Sequence, residues 1–269
     1  MTKPNIQRTV IFLKAREFIT PNYIRLTFTG ENISSFANCT IGVNNKIFLP
    51  PKGIKEVYFS DELEDKDIDK VAIRRTYTHA GIDLIKNEMY MEFVAHGDEG
   101  PASNYAIHAD IGAPLGVAMK IKNMPLVPKV NFYYIIGDAT ALPVIKAMLE
   151  SLNLDVTGKV FLEVPNQKER QNINKPKGIE IYWIENIKTA DDTILADRVI
   201  SNLENDQDLE KKSRFAFVAC EYANVRKLRN YFRKEKKWER EELSAYSYWK
   251  FGVAETKSEK DRREERQET

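Results

Sequence analysis

Cysteine and histidine are scarce in this chain of 269 residues. The two cysteines, Cys39 and Cys220, lie far apart in the sequence, so we expect neither a disulfide framework nor a clustered thiolate metal site. The three histidines, His79, His96 and His108, argue against a metal site built on imidazole. No apolar run approaches the roughly 18 residues of a membrane span, and the N-terminal residues contain no apolar leader segment. These absences predict a protein of a reducing compartment, the cytoplasm.

An excess of charge of either sign is also missing. The chain has 41 Lys plus Arg residues against 40 Asp plus Glu residues, which gives a net charge of +1. Such a chain creates no overall field that would hold it on a nucleic acid or an anionic membrane, so any basic site is local. With 42% hydrophobic and 30% charged residues, a chain of this length has enough apolar mass for two folded domains.

The first half of the chain has the pattern of an antiparallel β domain. Short runs rich in β-branched and aromatic residues are separated by turn residues, which predicts a barrel or a sandwich. The predicted strands are residues 9–13, 23–28, 46–49, 73–78 and 89–95. We interpret the last two as a hairpin around a turn at residues 86–88. The acidic stretch at residues 61–69 is expected to be a solvated loop.

After about residue 125 the pattern changes to strands that alternate with helices. A nearly continuous apolar run at residues 130–136 is typical of a strand that is covered on both faces. Further strands are predicted at residues 159–164, 179–184, 214–219 and 243–251, and helices at residues 141–149, 194–203 and 224–234. This order predicts a parallel sheet with right-handed crossovers. We therefore expect a β domain over residues 1–124, an α/β domain over residues 125–255 and a charged tail over residues 256–269, with a ligand in the cleft between the domains.

Two segments of the first domain suit a planar cofactor with a phosphate tail. At the end of a predicted strand, Arg75, Tyr77 and His79 share one face, and Thr76 and Thr78 share the other. Arginine offers paired donors to phosphate, tyrosine a flat face for stacking, and threonine a hydroxyl for a ring edge. An exposed strand with cross-strand Thr and Arg pairs is the alternative interpretation.

The second segment, residues 96–106, predicts an anion site at the start of a short helix. Gly97 and Gly100 are expected in a turn, Pro101 at the first helical position, and Ser103 and Tyr105 within the helix. Unpaired N–H groups and the positive end of the helix dipole would then face a phosphate. A capped surface helix is the alternative.

Two segments of the second domain stand out. Residues 137–143 follow the first α/β strand and carry Asp138 and Thr140, but they do not match the glycine fingerprint of dinucleotide-binding folds. Pro143 is expected in the first turn of the following helix. Residues 246–252 form an aromatic-rich strand. An ordinary strand–helix turn and an ordinary aromatic core are the alternative interpretations.

Taken together and in this order, the four segments resemble the signatures of the siderophore-interacting proteins, the FAD-containing ferric-siderophore reductases. The resemblance covers roughly residues 8–255 and implies a fold like that of ferredoxin–NADP reductase. In that fold, a Greek-key β-barrel binds FAD and an α/β domain receives the electron donor. The implied activity is the reduction of ferric siderophores with release of Fe(II), using NADH, NADPH or a reduced ferredoxin.

The resemblance also implies roles for individual residues. It assigns Arg75 to a flavin phosphate, Tyr77 to packing against the isoalloxazine ring and Thr78 to the ring near its reactive nitrogen, with Thr76 in the same site. The pyrophosphate and adenosine side of the FAD site would be formed by His96, Gly97, Gly100, Ala102 and Ser103. The electron-donor motif would be formed by Asp138, Thr140 and Ala141.

The chain departs from the family pattern at two places. The family commonly has an arginine where this chain has Ala80, so a phosphate contact is lost or is supplied by Arg74 or His79. Residues 112–120 also differ from the Gly-Pro-rich turn that the family often has there.

An electropositive cleft would receive the anionic chelate, and we expect Lys46, Lys120 and Lys250 to be its cations. Seven basic residues crowd the last predicted helix and its end, which favours a solvated face, with an adenosine 2′-phosphate or an acidic ferredoxin as alternative partners. These residues are Arg226, Lys227, Arg229, Arg233, Lys234, Lys236 and Lys237. We expect a monomer that binds no nucleic acid and no membrane.

Two other functions remain open at this point. The chain could be a flavin reductase that serves another acceptor, because fold and cofactor do not fix the substrate. It could also be a binding module that takes up a chelate without reducing it.

Overall fold

The computed structural model describes residues 5–62, 65–98, 100–204, 206 and 213–253. They belong to two compact units, which divide between Leu126 and Val127. Within the described residues, no helix is long and apolar enough to span a membrane. The charged tail expected at residues 256–269 lies outside the described residues.

Unit 1 contains a curled antiparallel sheet of seven strands in the order β4-β3-β7-β1-β2-β6-β5. Its elements are β1 (Ile6–Thr20), β2 (Tyr23–Thr29), β3 (Asn44–Leu49), β4 (Ile73–Thr78), β5 (Gly81–Asp83), β6 (Glu88–Val94), α1 (Pro101–His108) and β7 (Pro114–Lys120). The long strand β1 is central because it pairs with β2 on one side and with β7 on the other.

The core of unit 1 follows from alternation along its strands. On β3, Ile47 and Leu49 face inward and are at most 1% exposed, and they pack with Phe28, Phe36 and Phe93. Burying each of these side chains stabilises the fold by about 1.5–3 kcal/mol. The same inward face of β3 also carries Asn45, a polar residue that is 1% exposed.

Unit 2 contains a parallel sheet of five strands in the order β10-β9-β8-β11-β12. Its elements are β8 (Phe132–Asp138), α2 (Leu142–Ser151), β9 (Thr157–Val164), β10 (Gly178–Glu185), α3 (Ile194–Leu203), β11 (Arg214–Glu221), α4 (Tyr222–Asn230) and β12 (Leu243–Trp249). Every residue of the central strand β8 is buried, as its continuous apolar run predicted. The predicted fold class, an antiparallel β domain followed by a parallel α/β domain, is confirmed.

Two expectations for unit 1 are corrected by the structure. The strands at residues 73–78 and 89–95 do not form a hairpin, because β4 pairs with β3 and it is the short strand β5 that pairs with β6. The acidic stretch is exposed as expected at residues 61, 62 and 68–70, but it is not all loop, because Asp65–Lys70 form a 3-10 helix.

Two further elements differ from the sequence pattern. Strand β7 lies inside the sheet between β3 and β1, although its proline and glycine are poor strand formers. The helix expected at residues 224–234 is α-helical only to Asn230, and Tyr231–Glu235 continue it as one π-helical turn. Insertions of this kind are frequent near functional sites.

Candidate functional site

Strand β4 presents the first predicted segment with the two faces that the sequence indicated. In the described sheet it pairs only with β3, with Tyr77 opposite Asn45 and Thr76 opposite Lys46. Paired residues share a face, so Arg75 and Tyr77 point to one side and Thr76 and Thr78 to the other. The Tyr77 ring packs on Phe93 with their centroids 4.5 Å apart.

Three residues of β4 and its end bear on the position where the family commonly has an arginine and this chain has Ala80. Arg75 is half-buried and donates a hydrogen bond from Nη1 to the Arg74 carbonyl at 2.8 Å. Arg74 is exposed and lies on the opposite face. His79 is completely buried, and burial lowers its pKa to about 4, so it is neutral near pH 7. Whether Arg74 or His79 supplies the phosphate contact stays a prediction.

The second segment forms a cradle at the start of α1. Gly97 has a φ of +96°, a left-handed conformation that favours glycine. The Ser103 hydroxyl donates to the Gly97 carbonyl at 2.7 Å and accepts from the His96 N–H at 3.0 Å, which closes the turn. A Cβ at Gly100 would lie 2.7 Å from Cε1 of His96, so a larger residue there would require the His96 ring to move. Ala102 is buried beneath the turn.

The start of α1 meets the requirements of an anion site. Pro101 is at the first helical position, and its N-cap, Gly100, provides no side chain to cap the helix. At the other end, Arg16 donates to the carbonyls of Ala106 at 2.6 Å and Ala109 at 2.5 Å. A cation at this end complements the helix dipole and holds the helix in place.

In unit 2, the carboxylate of Asp138 fixes the turn at residues 137–143 by hydrogen bonds. Asp138 ends β8, and its Oδ1 accepts hydrogen bonds from the N–H of Thr140 at 2.9 Å and from the Thr140 hydroxyl. Its Oδ2 accepts from the N–H of Glu221 at 3.0 Å and from Nε1 of Trp249 at 2.8 Å. Asp138 therefore joins the carboxyl ends of β8, β11 and β12.

The tight turn after β8 explains the buried small residues around Asp138. A Cβ at Gly137 would lie 2.6 Å from Cδ1 of Ile145, and Ala141 is completely buried. Pro143 lies in the first turn of α2, as predicted. Burial raises the pKa of Asp138, and the hydrogen bonds from Thr140 and Trp249 oppose that rise.

A second buried carboxylate lies beside Asp138 at the same edge of the sheet. Glu163 of β9 pairs in register with Asp138, and its Oε1 lies 2.8 Å from Nζ of Lys188. Burial raises the pKa of Glu163, and the nearby Lys188 ammonium opposes that rise. The carboxyl edge of the sheet is thus acidic and internally paired, a feature that the sequence analysis missed because Lys188 lies in a loop without a motif.

Two of the three predicted substrate cations share a face of unit 1. Lys46 donates to the Thr76 hydroxyl at 2.5 Å and pairs in register with Ala118, two residues before the exposed Lys120. Lys250 belongs to unit 2, where its ammonium lies 4.7 Å from the ring centroid of Tyr222. The role of these lysines in binding a chelate stays a prediction.

Several of the seven basic residues at α4 and its end make contacts within unit 2. Lys227 pairs with Asp197, Arg229 donates to the Ala245 carbonyl at 3.1 Å, and Arg233 donates to the Trp238 carbonyl at 3.0 Å. Of the seven basic residues, Arg226, Lys234 and Lys237 are exposed.

The residues of unit 1 fit FAD. The cradle at α1 offers backbone donors to a pyrophosphate, Arg75 offers a cation, and Tyr77 offers a planar face. Beside Tyr77, the buried side chain of Asn45 has donor and acceptor atoms with no hydrogen-bond partner in the described residues. Sequence reasoning missed Asn45, because a single asparagine in a strand matches no motif.

The comparisons with known proteins agree with this geometry. A family model described as "Siderophore-interacting FAD-binding domain" matches residues 13–119, and one described as "Siderophore-interacting protein" matches residues 130–252. The chain is similar to the ferric vibriobactin reductase ViuB of Vibrio cholerae, with 30% identity over 239 residues, 88% of this chain and 87% of the relative.

Solved structures show the same fold. The siderophore-interacting protein SipS from Aeromonas hydrophila superposes with a TM-score of 0.82 at 24% identity, over 97% of this chain and 98% of that chain. A ferredoxin NADP+ reductase from Neisseria gonorrhoeae superposes with a TM-score of 0.60 at 10% identity, over 90% of this chain and 98% of that chain. The two family models, the relative and the shared fold show that this chain belongs to the siderophore-interacting protein family.

Proposed function

We propose that this chain is an FAD-dependent reductase that releases iron from ferric siderophores as Fe(II). One observation carries the proposal. Unit 1 matches an FAD-binding domain model, and within the matched residues it has an aromatic ring at Tyr77, a cation at Arg75 and the cradle at the start of α1. The similarity to a protein named ferric vibriobactin reductase supports the substrate class.

The chemistry of the substrate explains why a single electron is enough. Siderophores hold the hard Fe(III) ion with oxygen donors, and the same donors hold Fe(II) much less strongly. FAD, when bound, supplies the electron transfer that this change requires. Among the described residues, no group of three or more His, Cys, Asp or Glu side chains could hold a metal ion.

The protein's own residues bind and orient the cofactor. Arg75 neutralises a phosphate, the N–H groups at the start of α1 bind the pyrophosphate, and Tyr77 packs on the ring. The Ser103 hydroxyl holds Gly97 in its left-handed turn, so the cradle exists before the cofactor arrives. Thr78 is buried at the end of β4 on the face opposite Tyr77, and its assignment to the ring stays a prediction.

The electron donor is proposed to be NAD(P)H or a reduced ferredoxin that acts at the turn after β8. Asp138 and Thr140 shape this turn, and Ala141 leaves room for its tight bend. Because the Asp138 carboxylate already accepts the Thr140 N–H, a nucleotide phosphate cannot use that donor. We therefore expect a pyridine nucleotide to bind this turn more weakly than it binds a glycine-rich fingerprint. A monomeric state and a cytoplasmic location remain predictions.

The proposal is tested on the purified, FAD-loaded protein under anaerobic conditions. The flavin is reduced with NADH, NADPH or reduced ferredoxin, and a ferric hydroxamate, catecholate or carboxylate siderophore is then added with a ferrous chelator. We expect the donor to bleach the flavin absorbance, and the siderophore to restore it as the coloured ferrous complex forms.

Two results would contradict the proposal in different ways. A flavin that is reduced by a donor but yields no Fe(II) from any siderophore class would point to another acceptor. Protein that takes up no FAD at all would point to a binding module without redox activity.

A further inference from the structure

Two buried side chains of unit 1 have polar atoms that the fold leaves without partners. Asn45 on β3 is 1% exposed, and His79, which directly follows β4, is 0% exposed. Among the described residues, Nδ2 and Oδ1 of Asn45 and both ring nitrogens of His79 have no hydrogen-bond partner. Groups of this kind are rare in folded proteins, because burying them without a partner costs stability.

Both side chains lie beside Tyr77. Asn45 is the direct cross-strand partner of Tyr77. The His79 N–H donates to the Val43 carbonyl at 2.9 Å, so His79 continues the same register two residues further along. Residues two apart on a strand, and residues paired across strands, share a face. Asn45, Tyr77 and His79 therefore form one patch at the end of β4.

The polar atoms without partners complement the hydrogen-bonding groups at one edge of a flavin ring. The pyrimidine edge of the isoalloxazine ring presents two carbonyl acceptors with an N–H donor between them. A carboxamide such as that of Asn45 offers one acceptor and an amino donor side by side, and a neutral imidazole offers one donor and one acceptor. Because burial keeps His79 neutral, both of its functions are available near pH 7.

We infer that Asn45 and His79 are the hydrogen-bonding residues for the polar edge of the flavin ring. This inference rests on the proposed use of FAD. The polar atoms of both residues are buried in the structure. For the ring to reach these atoms, the half-buried side chain of Tyr77 would have to move aside. The unmet atoms then gain partners, and the stability lost in the cofactor-free protein is recovered in the complex.

The inference predicts opposite effects on the free protein and on its complex, which two variants test. Asn45→Leu and His79→Phe replace the polar groups with apolar ones of similar shape. Asn44→Leu, on the same strand but exposed on the opposite face, and Ile85→Phe, at a residue that is 99% exposed, are the controls. Thermal unfolding of FAD-free protein and the FAD dissociation constant, from quenching of flavin fluorescence, are measured for each.

We expect both test variants to raise the unfolding temperature of the FAD-free protein at pH 7 and to weaken FAD binding by about tenfold. The controls should leave the FAD dissociation constant within about twofold of wild type. FAD methylated at N3 should bind the wild-type protein more weakly than FAD does, and the difference should shrink in Asn45→Leu.

Unchanged FAD affinity in both test variants would overturn the inference, because the two side chains would then be core residues that the cofactor never meets. Equal discrimination against N3-methyl FAD in wild type and Asn45→Leu would overturn the contact assigned to Asn45. Both results are read from binding and spectra alone. They are therefore separate from a failure of iron release, and a wild-type protein that binds no FAD would already have contradicted the proposed function.

Discussion

Two glycines at the start of α1 show how single residues shape the phosphate cradle. Gly97 adopts a left-handed backbone, and Gly100 leaves room for the His96 ring. The sequence indicated both glycines because turn residues before a helical proline are a strong local signal. It did not indicate the closing contact from Ser103 to Gly97, because that hydrogen bond depends on the fold of the turn.

We predict that Gly97→Ala weakens FAD binding as well as the fold. Gly97 and Gly53 have φ values of +96° and +85°, and neither has a described atom within 4 Å of an added Cβ. The two substitutions therefore carry the same backbone strain, about 1 kcal/mol or more. Both should lower the free energy of unfolding, measured with urea, by similar amounts.

The two glycine variants should differ in cofactor binding. Gly97→Ala should raise the FAD dissociation constant at least fivefold, because the strain displaces the backbone that faces the phosphate. Gly53→Ala should leave the constant unchanged. Equal FAD affinity of the two variants would remove Gly97 from the site.

His79 provides a test by pH at the residue scale. Burial lowers its pKa to about 4, whereas an unfolded histidine titrates near about 6.5. The unfolded chain therefore binds the proton first as the pH falls. This contribution to stability is complete above about pH 6.5 and is lost as the pH falls toward about 4.

We predict that the FAD-free wild-type protein loses about 2 kcal/mol more unfolding free energy between pH 7 and pH 5 than His79→Phe does. Urea unfolding at the two pH values measures the difference. Ile85→Phe, a change of a residue that is 99% exposed and does not titrate, should follow the wild-type pH profile. If the unfolding free energy of His79→Phe changed with pH as that of the wild type does, His79 would not be the group that titrates.

At the scale of elements, one carboxylate holds three strand ends of unit 2 together. Asp138 accepts four hydrogen bonds, from Thr140, Glu221 and Trp249. An aspartate after a buried strand is visible in the sequence. Its partners are not, because Trp249 lies 111 residues further along the chain and meets Asp138 only through the order of the strands.

We predict that Asp138→Asn destabilises unit 2 by at least about 2 kcal/mol, because an amide cannot accept from all four donors. Trp249→Phe removes one donor and should cost about half as much. Urea unfolding followed by tryptophan fluorescence measures Asp138→Asn, and circular dichroism measures Trp249→Phe. Asp155→Asn, a change of an exposed aspartate, should stay within about 0.5 kcal/mol of wild type. Asp138→Asn should keep its FAD, and an effect no larger than that of Asp155→Asn would mean that the carboxylate does not join the strands.

The elements also show where sequence patterns succeed and fail. The helix at Ile194–Leu203 and the strand at Ile73–Thr78 were predicted with their observed bounds, because periodicity and β-branched residues mark them clearly. The partner of β4 was wrong, because strand pairing is set by packing in three dimensions and not by nearness in sequence. Strand β7 was missed, because the sheet imposes an extended backbone on residues of low strand propensity.

At the scale of the whole molecule, the two units have separate cores and separate spectroscopic signals. The core of unit 1 is built around Phe28 and Phe93, and that of unit 2 around Tyr134 and Phe161. The change from alternating to continuous apolar runs near residue 125 predicted two domains, and the two compact units divide between Leu126 and Val127. The expected ligand position between the domains stays a prediction. All three tryptophans, Trp183, Trp238 and Trp249, belong to unit 2.

We predict that FAD stabilises unit 1 selectively. At 100 times its dissociation constant, a ligand raises the unfolding free energy of the state that binds it by about 2.7 kcal/mol. Because the residues assigned to FAD all belong to unit 1, amide hydrogen exchange followed by mass spectrometry should slow in peptides of residues 5–126 when FAD is added.

Exchange in peptides of unit 2 and the thermal midpoint of tryptophan fluorescence should stay unchanged. In Gly97→Ala, the protection of unit 1 at the same FAD concentration should be smaller. If FAD also raised the thermal midpoint of tryptophan fluorescence, unit 2 would share in cofactor binding. The assignment of the FAD site to unit 1 alone would then be wrong.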